Sequence, residues 1–406
     1  MSVPFYSRFL EVRLEHRVVG PEPAKLVMGA RQVGKTTLLR HFLADSEGIL
    51  VVNLQDRRER QRYERDSGRL VRELEASPNI HTVFIDEVQK VPGLLEDAQY
   101  LYDAYPGRYQ LLLTGSSARQ LKRRAANLLP GRVHNLLLSP ALLAEQRDCE
   151  LLSLKIPRGP RFPLRALEDY LIYGNLPGLY QTDRETWVQT LAAYSELYIE
   201  NEIRQEHIID DVGSFQRFLR LAALEAGQHV NFTKMARAIG VAPNTIRNYF
   251  QVLEDTHVAI GLWPFTRARK RITQAPRFLF FDIGVRHVVA GLPLSESLLV
   301  MDAGHIFEQF VLTELWHRCS YRGAAARMWT WRTSSGAEVD AVLETPDETI
   351  PIEIKWTEDP SPRDARHLET FMNLHPNSSR RGYVICRTPM RQQLTPRTIA
   401  IPWSEF

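Results

Sequence analysis

Gly29-Ala30-Arg31-Gln32-Val33-Gly34-Lys35-Thr36 is the stretch that decides how this chain reads. It has the spacing G-x-x-x-x-G-K-[ST]. An apolar run that reads as a strand, Lys25–Met28, precedes it, and a segment that reads as a helix, Thr37–Leu43, follows it. Strand, glycine-rich turn and helix start are the context this pattern needs. Gly29 and Gly34 let the backbone curl so that successive N–H groups face phosphate oxygens. The helix N-terminus adds partial positive charge. Residues Gly29, Ala30, Arg31, Gln32, Val33, Gly34, Lys35, Thr36 and Thr37 are therefore the expected ATP-binding stretch. Lys35 is expected to reach the β- and γ-phosphates, and Thr36 to offer its hydroxyl to Mg2+.

Working outward, Val83-Phe84-Ile85-Asp86-Glu87 reads as a buried strand ending in two carboxylates. Asp86 is expected in the Mg2+ shell and Glu87 at the attacking water. A third strand ends in Leu113-Thr114-Gly115-Ser116-Ser117, where Ser116 or Thr114 can sense the γ-phosphate. Basic residues follow at Arg119, Arg123, Arg124 and Arg132. Arg132 is the candidate arginine finger, reaching a neighbouring subunit's nucleotide to stabilise developing charge. Five β-like runs (25–28, 49–53, 82–85, 110–113 and 133–138) alternate with helical stretches. That alternation predicts an α/β domain with a parallel sheet.

The rest of the chain divides into three regions. Residues 165–205 have helical periodicity, with Leu154–Pro163 before them as a linker rich in Pro, Gly and Arg. Phe232–Val241 and Pro243–Leu253 read as two helices with Gly240 at the turn, a helix-turn-helix pattern. Its expected apolar seam is Ala236, Ile239, Val241, Ile246, Tyr249 and Leu253. Its outer face carries Asn244, Thr245, Arg247, Asn248 and Gln251, side chains able to meet DNA bases or phosphates. Strands expected at Val258–Phe265 and Phe278–Asp282 bracket Arg267, Arg269, Lys270 and Arg271, a basic wing suited to backbone contacts.

In the last region a helix over 303–318 carries Glu308, a strand carries Asp340, and Pro351–Trp356 carries Glu353 and Lys355. Alternate strand residues share a face. A helical Glu, a strand Asp and a Glu-x-Lys are the parts of a PD-(D/E)xK nuclease core. Asp340 and Glu353 would hold a metal, Glu308 would help directly or through water, and Lys355 would orient the water.

GARQVGKTT, VFIDEVQKV, LLLTGSS and LPGRV, in that order, resemble the AAA+ ATPase domain of a large prokaryotic family with a C-terminal domain of unknown function. Phe307-Glu308, Glu338-Val339-Asp340 and Ile352-Glu353-Ile354-Lys355 resemble its C-terminal pattern. The resemblance implies a nucleotide-driven homo-oligomer, a ring such as a hexamer, with Ser116 as sensor and Arg132 acting in trans. Glu202 departs from it, standing where an aspartate is expected. The expected organisation is an AAA+ P-loop ATPase domain over 1–145 and a helical lid over 150–212. A winged helix-turn-helix over 213–282 and a restriction-endonuclease-like α/β domain over 283–406 complete it.

Composition narrows the setting. Net charge is only +3, and 44% of the residues are hydrophobic, so more than one core can form. Cys149, Cys319 and Cys386 are scattered, which argues against a disulfide framework and for a reducing compartment. The first fifteen residues lack a signal peptide's apolar segment, and no uncharged run has the length of a membrane span. The expected setting is the cytoplasm, without a membrane partner. The expected function is a DNA-acting ATPase. An ATP-gated nuclease and a regulatory or defence switch working through protein partners are the alternatives.

Overall fold

The computed structural model describes residues 4–16, 22–116, 132–194, 211–265 and 275–406. The chain forms two compact units. One comprises residues up to Pro140, together with Lys155–Pro160 and Asp255–His257; the other holds Ala141–Leu154, Arg161–Glu254 and Val258–Phe406.

In the first unit the order is α1 (Leu10–Glu15), β1 (Ala24–Met28), α2 (Lys35–Phe42), β2 (Ile49–Asn53), α3 (Arg57–Arg65) and α4 (Arg69–Glu75). Then come β3 (Thr82–Asp86), α5 (Gly93–Ala104), β4 (Gln110–Gly115) and β5 (Val133–Leu137). The strands match the expected runs to within one or two residues at each end. They form one parallel sheet in the order β2-β3-β4-β1-β5. β1 and β3 are buried throughout, as a sheet covered on both faces requires. Leu26, Val83, Ile85, Leu111 and Leu113 meet Leu94, Leu95 and Leu101 in the main core of this unit. The central strands all run the same way, so β1, β3 and β4 end at one edge: Met28 is level with Gly115, and Ile85 with Leu113. Part of the expected linker belongs here, because Pro160 accepts a hydrogen bond from Ser7 N at 2.8 Å.

The second unit starts with α6 (Leu143–Gln146), α7 (Leu167–Tyr173), α8 (Arg184–Ala193), α9 (Val212–Leu224), α10 (Phe232–Ile239) and α11 (Pro243–Asp255). An antiparallel hairpin follows, β6 (Ala259–Leu262) with β7 (Arg277–Phe280). These strands are shorter than expected. Asp282 leaves the strand to cap α12 (Ile283–Ala290), accepting from Val285 N at 3.0 Å.

The expected helix over 303–318 is longer: α13 covers Ser297–Arg322 and breaks at Asp302, whose φ of −155° is not helical. Beyond it lie β8 (Arg327–Arg332), β9 (Glu338–Glu344), β10 (Thr349–Ile354), α14 (Arg366–Leu374), β11 (Gly382–Cys386), β12 (Gln392–Thr395) and β13 (Thr398–Pro402). They make a six-stranded mixed sheet in the order β12-β13-β11-β10-β9-β8. β8, β9 and β10 are an antiparallel meander, and α14 crosses over to make β11 parallel to β10. Leu368, Phe371 and Met372 of α14 close the core over Trp329, Val342 and Val384.

Candidate functional site

The phosphate loop leaves β1 where the sheet ends. Gly29 has φ +149°, and a Cβ there would lie 2.3 Å from Leu138 O, so only glycine fits. Gly34 sits at φ +92° as the residue before α2, so the helix's first turn opens directly from the loop. Lys35 is buried, and its Nζ donates to Gly29 O and Ala30 O, both at 2.9 Å. Arg31, Gln32 and Gly34 are half-buried, Val33 is buried, and Thr37 is exposed. Buried Arg8 braces the loop from behind, donating to Val33 O at 3.1 Å and Ser139 O at 2.7 Å.

Opposite the loop lies the acidic end of β3. Thr36 Oγ1 donates to Asp86 Oδ1 at 2.8 Å. Thr114 Oγ1 donates to the same oxygen at 2.6 Å, and Gln55 Nε2 to Asp86 Oδ2 at 3.1 Å. A hydroxyl and a carboxylate oxygen so close together are the hard oxygen ligands Mg2+ takes. The next residue, Glu87, has φ +61°, a left-handed conformation that a non-glycine residue keeps only where neighbours enforce it. Its N–H donates to Thr114 Oγ1 at 2.8 Å. Thr114 therefore anchors the acidic pair. Ser116, one residue past β4 and buried, lies beside Glu87: its Oγ is 3.2 Å from Glu87 Oε2. Nearby Lys90 has its pKa lowered, first by burial and further by Arg60 and Arg31, against the opposing pull of Glu87.

Arg132 stands apart from this edge. Its carbonyl accepts from Ala24 N, at the start of β1, and its Nε donates to Asp103 at 2.9 Å. The length of β1, roughly 16 Å, separates it from the loop of its own chain. Arg119, Arg123 and Arg124 lie outside the described residues, as do Arg267, Arg269, Lys270, Arg271 and Glu202.

In the second unit Asn231 caps α10 by accepting from Lys234 N at 2.9 Å, and Gly240 ends it at φ +84°. Met235, Ala236, Ile239, Ile246, Tyr249, Phe250 and Leu253 are buried, whereas Val241 is only half-buried because it lies in the turn. Phe250, absent from the expected seam, stacks on Phe278 at 4.0 Å and ties α11 to β7. Asn244, Arg247, Asn248 and Gln251 are exposed and Thr245 half-buried. The Arg247 guanidinium lies 4.1 Å above the Phe232 ring.

The carboxylates of the C-terminal sheet come together in part. Lys355 lies one residue beyond β10, yet its Nζ is 2.6 Å from Glu353 Oε1, as the shared face requires. Asp340 accepts from Ile354 N at 2.8 Å. Burial, then the charges of Glu353 and Glu308, hold Asp340 well above the usual carboxylate range. Burial also raises Glu353, in spite of Lys355. Lys355 is raised: burial would lower it, but the charge and hydrogen bond of Glu353 outweigh that. Glu308 is turned instead to Arg277 of β7, its ion-pair partner. Hence, among the described residues, no three His, Cys, Asp or Glu side chains converge tightly enough to hold a metal ion. Glu353 Oε2 and Arg277 Nη1 are nevertheless buried without a hydrogen-bond partner among the described residues. An unmatched oxygen of this kind fits a cation better than it fits apolar packing.

Four residues of these sites escaped the sequence reading. Gln89 lies inside the quoted acidic motif, and Arg277 borders the basic run. Gln55 and Arg8 carry no sequence signal, because only the sheet edge brings them to the loop.

Residues 21–146 match the model of an AAA domain. Residues 164–296 match a domain of unknown function (DUF8612), and residues 303–406 a second one (DUF4143). Uncharacterized proteins of Mycobacterium tuberculosis and Mycobacterium bovis are each 26% identical over 355 residues, covering 85% of this chain and 73% of theirs. An uncharacterized protein of Haemophilus influenzae is 23% identical over 282 residues, 66% of this chain and 69% of its own. Among solved structures, AMPPCP-bound DnaA from Aquifex aeolicus is 11% identical at a TM-score of 0.26, covering 57% of this chain and 82% of its own. Replication initiator DnaA bound to AMPPCP and single-stranded DNA is 12% identical at a TM-score of 0.25, with the same coverage. Among the described residues no helix is long and apolar enough to cross a membrane. The first unit therefore carries an AAA-type, nucleotide-binding ATPase domain.

Proposed function

We propose that this chain is a DNA-binding AAA+ ATPase that couples Mg-ATP hydrolysis to the translocation or remodelling of DNA as a homo-oligomeric ring. The observation that carries the energy-coupling half is the 2.8 Å contact between Thr36 and Asp86. It joins two distant motifs at one sheet edge. Lys35 and the loop amides bind the terminal phosphates, and Thr36 and Asp86 would hold Mg2+, which would neutralise phosphate charge. Glu87 aims the water and takes its proton, and Ser116 senses the γ-phosphate. Arg132, at the far end of the strands from its own loop, serves a neighbour's nucleotide. Support for the DNA half is the exposed row Asn244, Arg247, Asn248 and Gln251 on the second helix of a capped helix-turn-helix, continued by β6 and β7 as a wing.

The ATPase rate with single-stranded, duplex and branched DNA tests this reading. Stimulation by at least one of them is expected. A rate unmoved by any DNA, over a range of salt, would replace the motor with a switch acting through protein partners.

The convergence of Asp340, Glu353 and Lys355 favours a second reading, an ATP-gated nuclease with a PD-(D/E)xK-like fold. Support comes from the α13-β8-β9-β10-α14-β11 order, with Asp340 on the second strand of the meander and Glu353 on the third. Mg2+-dependent nicking that disappears in Lys355→Ala would establish it. Equal nicking by the variant would assign the activity elsewhere.

A further inference from the structure

Gln89 touches both ends of the hydrolytic edge. It is buried in the single turn after β3, two residues past Glu87. Its Nε2 donates to Glu87 Oε2 and, at 2.9 Å, to Ser116 Oγ. Ser116 Oγ in turn donates to Glu87 Oε2 at 3.2 Å. The amide uses both protons, the hydroxyl uses its one, and a single carboxylate oxygen receives two bonds. Because an ionised carboxylate only accepts, the amide nitrogen must face Glu87, which leaves Gln89 Oε1 pointing away. That oxygen is buried and has no hydrogen-bond partner among the described residues. A buried acceptor left unmatched is costly, and such atoms mark places that a water, a ligand or a catalytic role uses.

We propose that Gln89 is a positioning residue of the hydrolytic step, holding the Glu87 carboxylate against Ser116 until the γ-phosphate draws Ser116 away. The proposal rests on the assignment of Glu87 and Ser116 above. With nucleotide bound, Ser116 turns to the γ-phosphate and the three-membered ring of hydrogen bonds opens. Gln89 still holds Glu87 Oε2, so Glu87 Oε1 faces the water. The water oxygen then bonds to the γ-phosphorus. The bond from that phosphorus to the bridging oxygen breaks, its electron pair leaving on ADP. The water's transferred proton passes to Glu87 and on to phosphate. Gln89 is unchanged throughout, and its contribution is orientation.

The test uses the full chain with Mg-ATP and compares Glu87→Gln, Gln89→Met and the double variant. Methionine keeps the volume of the side chain and removes its hydrogen bonds. A thermal melt accompanies each protein, and Gln89→Asn, which withdraws the amide by one methylene, replaces a methionine variant that melts early. We expect Gln89→Met to bind fluorescent ATP within about twofold of the parent and to lower kcat roughly 10- to 100-fold with KM little changed. The double variant should be no slower than Glu87→Gln alone, because Gln89 acts through Glu87. If Glu87→Gln turns over normally, the assignment of Glu87 is wrong and Gln89 falls with it. If Glu87→Gln is inactive while Gln89→Met keeps its kcat, loses only affinity, or multiplies the loss in the double variant, the role of Gln89 is overturned and Glu87 stands.

Discussion

Thr36 Oγ1 donates to Asp86 Oδ1 across 2.8 Å, closing a gap of 50 positions along the chain. Two segments far apart in sequence thus meet through a polar contact at the edge of the sheet. A hydroxyl and a carboxylate oxygen this close are ligands of the kind Mg2+ takes, as the proposed hydrolysis requires. Lys35→Ala and Asp86→Ala should each lower the ATPase rate by about 100-fold or more. Glu87→Gln should still bind ATP and fail to split it. Steady-state turnover beside nucleotide binding separates these outcomes, and retained turnover in either of the first two would remove the site.

Arg132 is held by Asp103 in the single chain, at 2.9 Å and in a half-exposed setting. An exposed pair of this kind stabilises little, so in the proposed ring Arg132 can exchange Asp103 for a neighbour's phosphate at small cost. Arg132→Ala should bind ATP and lose turnover. Mixing it with Lys35→Ala subunits should restore part of the rate, since each supplies what the other lacks across an interface. A mixture no more active than its components would argue against action in trans.

Arg247 leans on Phe232 with its guanidinium still exposed, so its charge remains available. If it meets a DNA phosphate, Arg247→Ala should weaken duplex binding at every sequence and lower the slope of log affinity against log salt by about 1. Fluorescence anisotropy at several salt concentrations reads both. An unchanged slope would take Arg247 off the DNA.

His287 is buried, and burial followed by the Arg286 charge pushes its pKa down to about 3. One ring nitrogen, Nδ1, is 3.1 Å from Ile172 O, and Nε2 has no hydrogen-bond partner among the described residues. The folded chain therefore holds the neutral ring while the unfolded chain protonates it near pH 6.5. The stability this residue contributes is complete above about pH 6.5. It is lost as pH falls toward 3, by roughly 1.4 kcal/mol per pH unit. His287→Asn, which keeps a donor for Ile172, should flatten chemical denaturation midpoints between pH 6 and 4. An identical slope in both proteins would contradict the assignment.

Arg318 is fully buried against Glu314 at 2.7 Å, and its Nη1 donates to Leu151 O and Phe406 O. Arg318→Met strands the Glu314 charge and should cost about 3–5 kcal/mol in unfolding free energy. Adding Glu314→Gln should recover part of it, because no unpaired charge is then left inside. Urea denaturation of the two variants gives the comparison.

Much of the architecture was open to local reading. The five strands of the parallel sheet, the glycine-rich turn, the two helices flanking Gly240 and the strands that carry Asp340 and Glu353 all follow from short-range periodicity and turn chemistry. β11, β12 and β13 did not stand out. They are short and lie beyond the motifs, and their place in the sheet comes from α14 folding back over β10. The break at Asp302 was equally hidden, since the residues on both sides favour helix.

Residue types and spacing alone determined which groups can grip phosphate, carry a metal or turn a helix, because those capacities belong to side chains and to backbone over a few residues. Only the tertiary structure decided which of them meet. Sheet order brings Gln55, Asp86, Thr114 and Thr36 to one edge, and the turn after β3 folds Gln89 back onto Glu87 and Ser116. Packing of β7 beside α13 gives Glu308 to Arg277 instead of to Asp340. Spacing along a chain carries no record of which strands become neighbours, since that is settled by the burial of whole apolar faces.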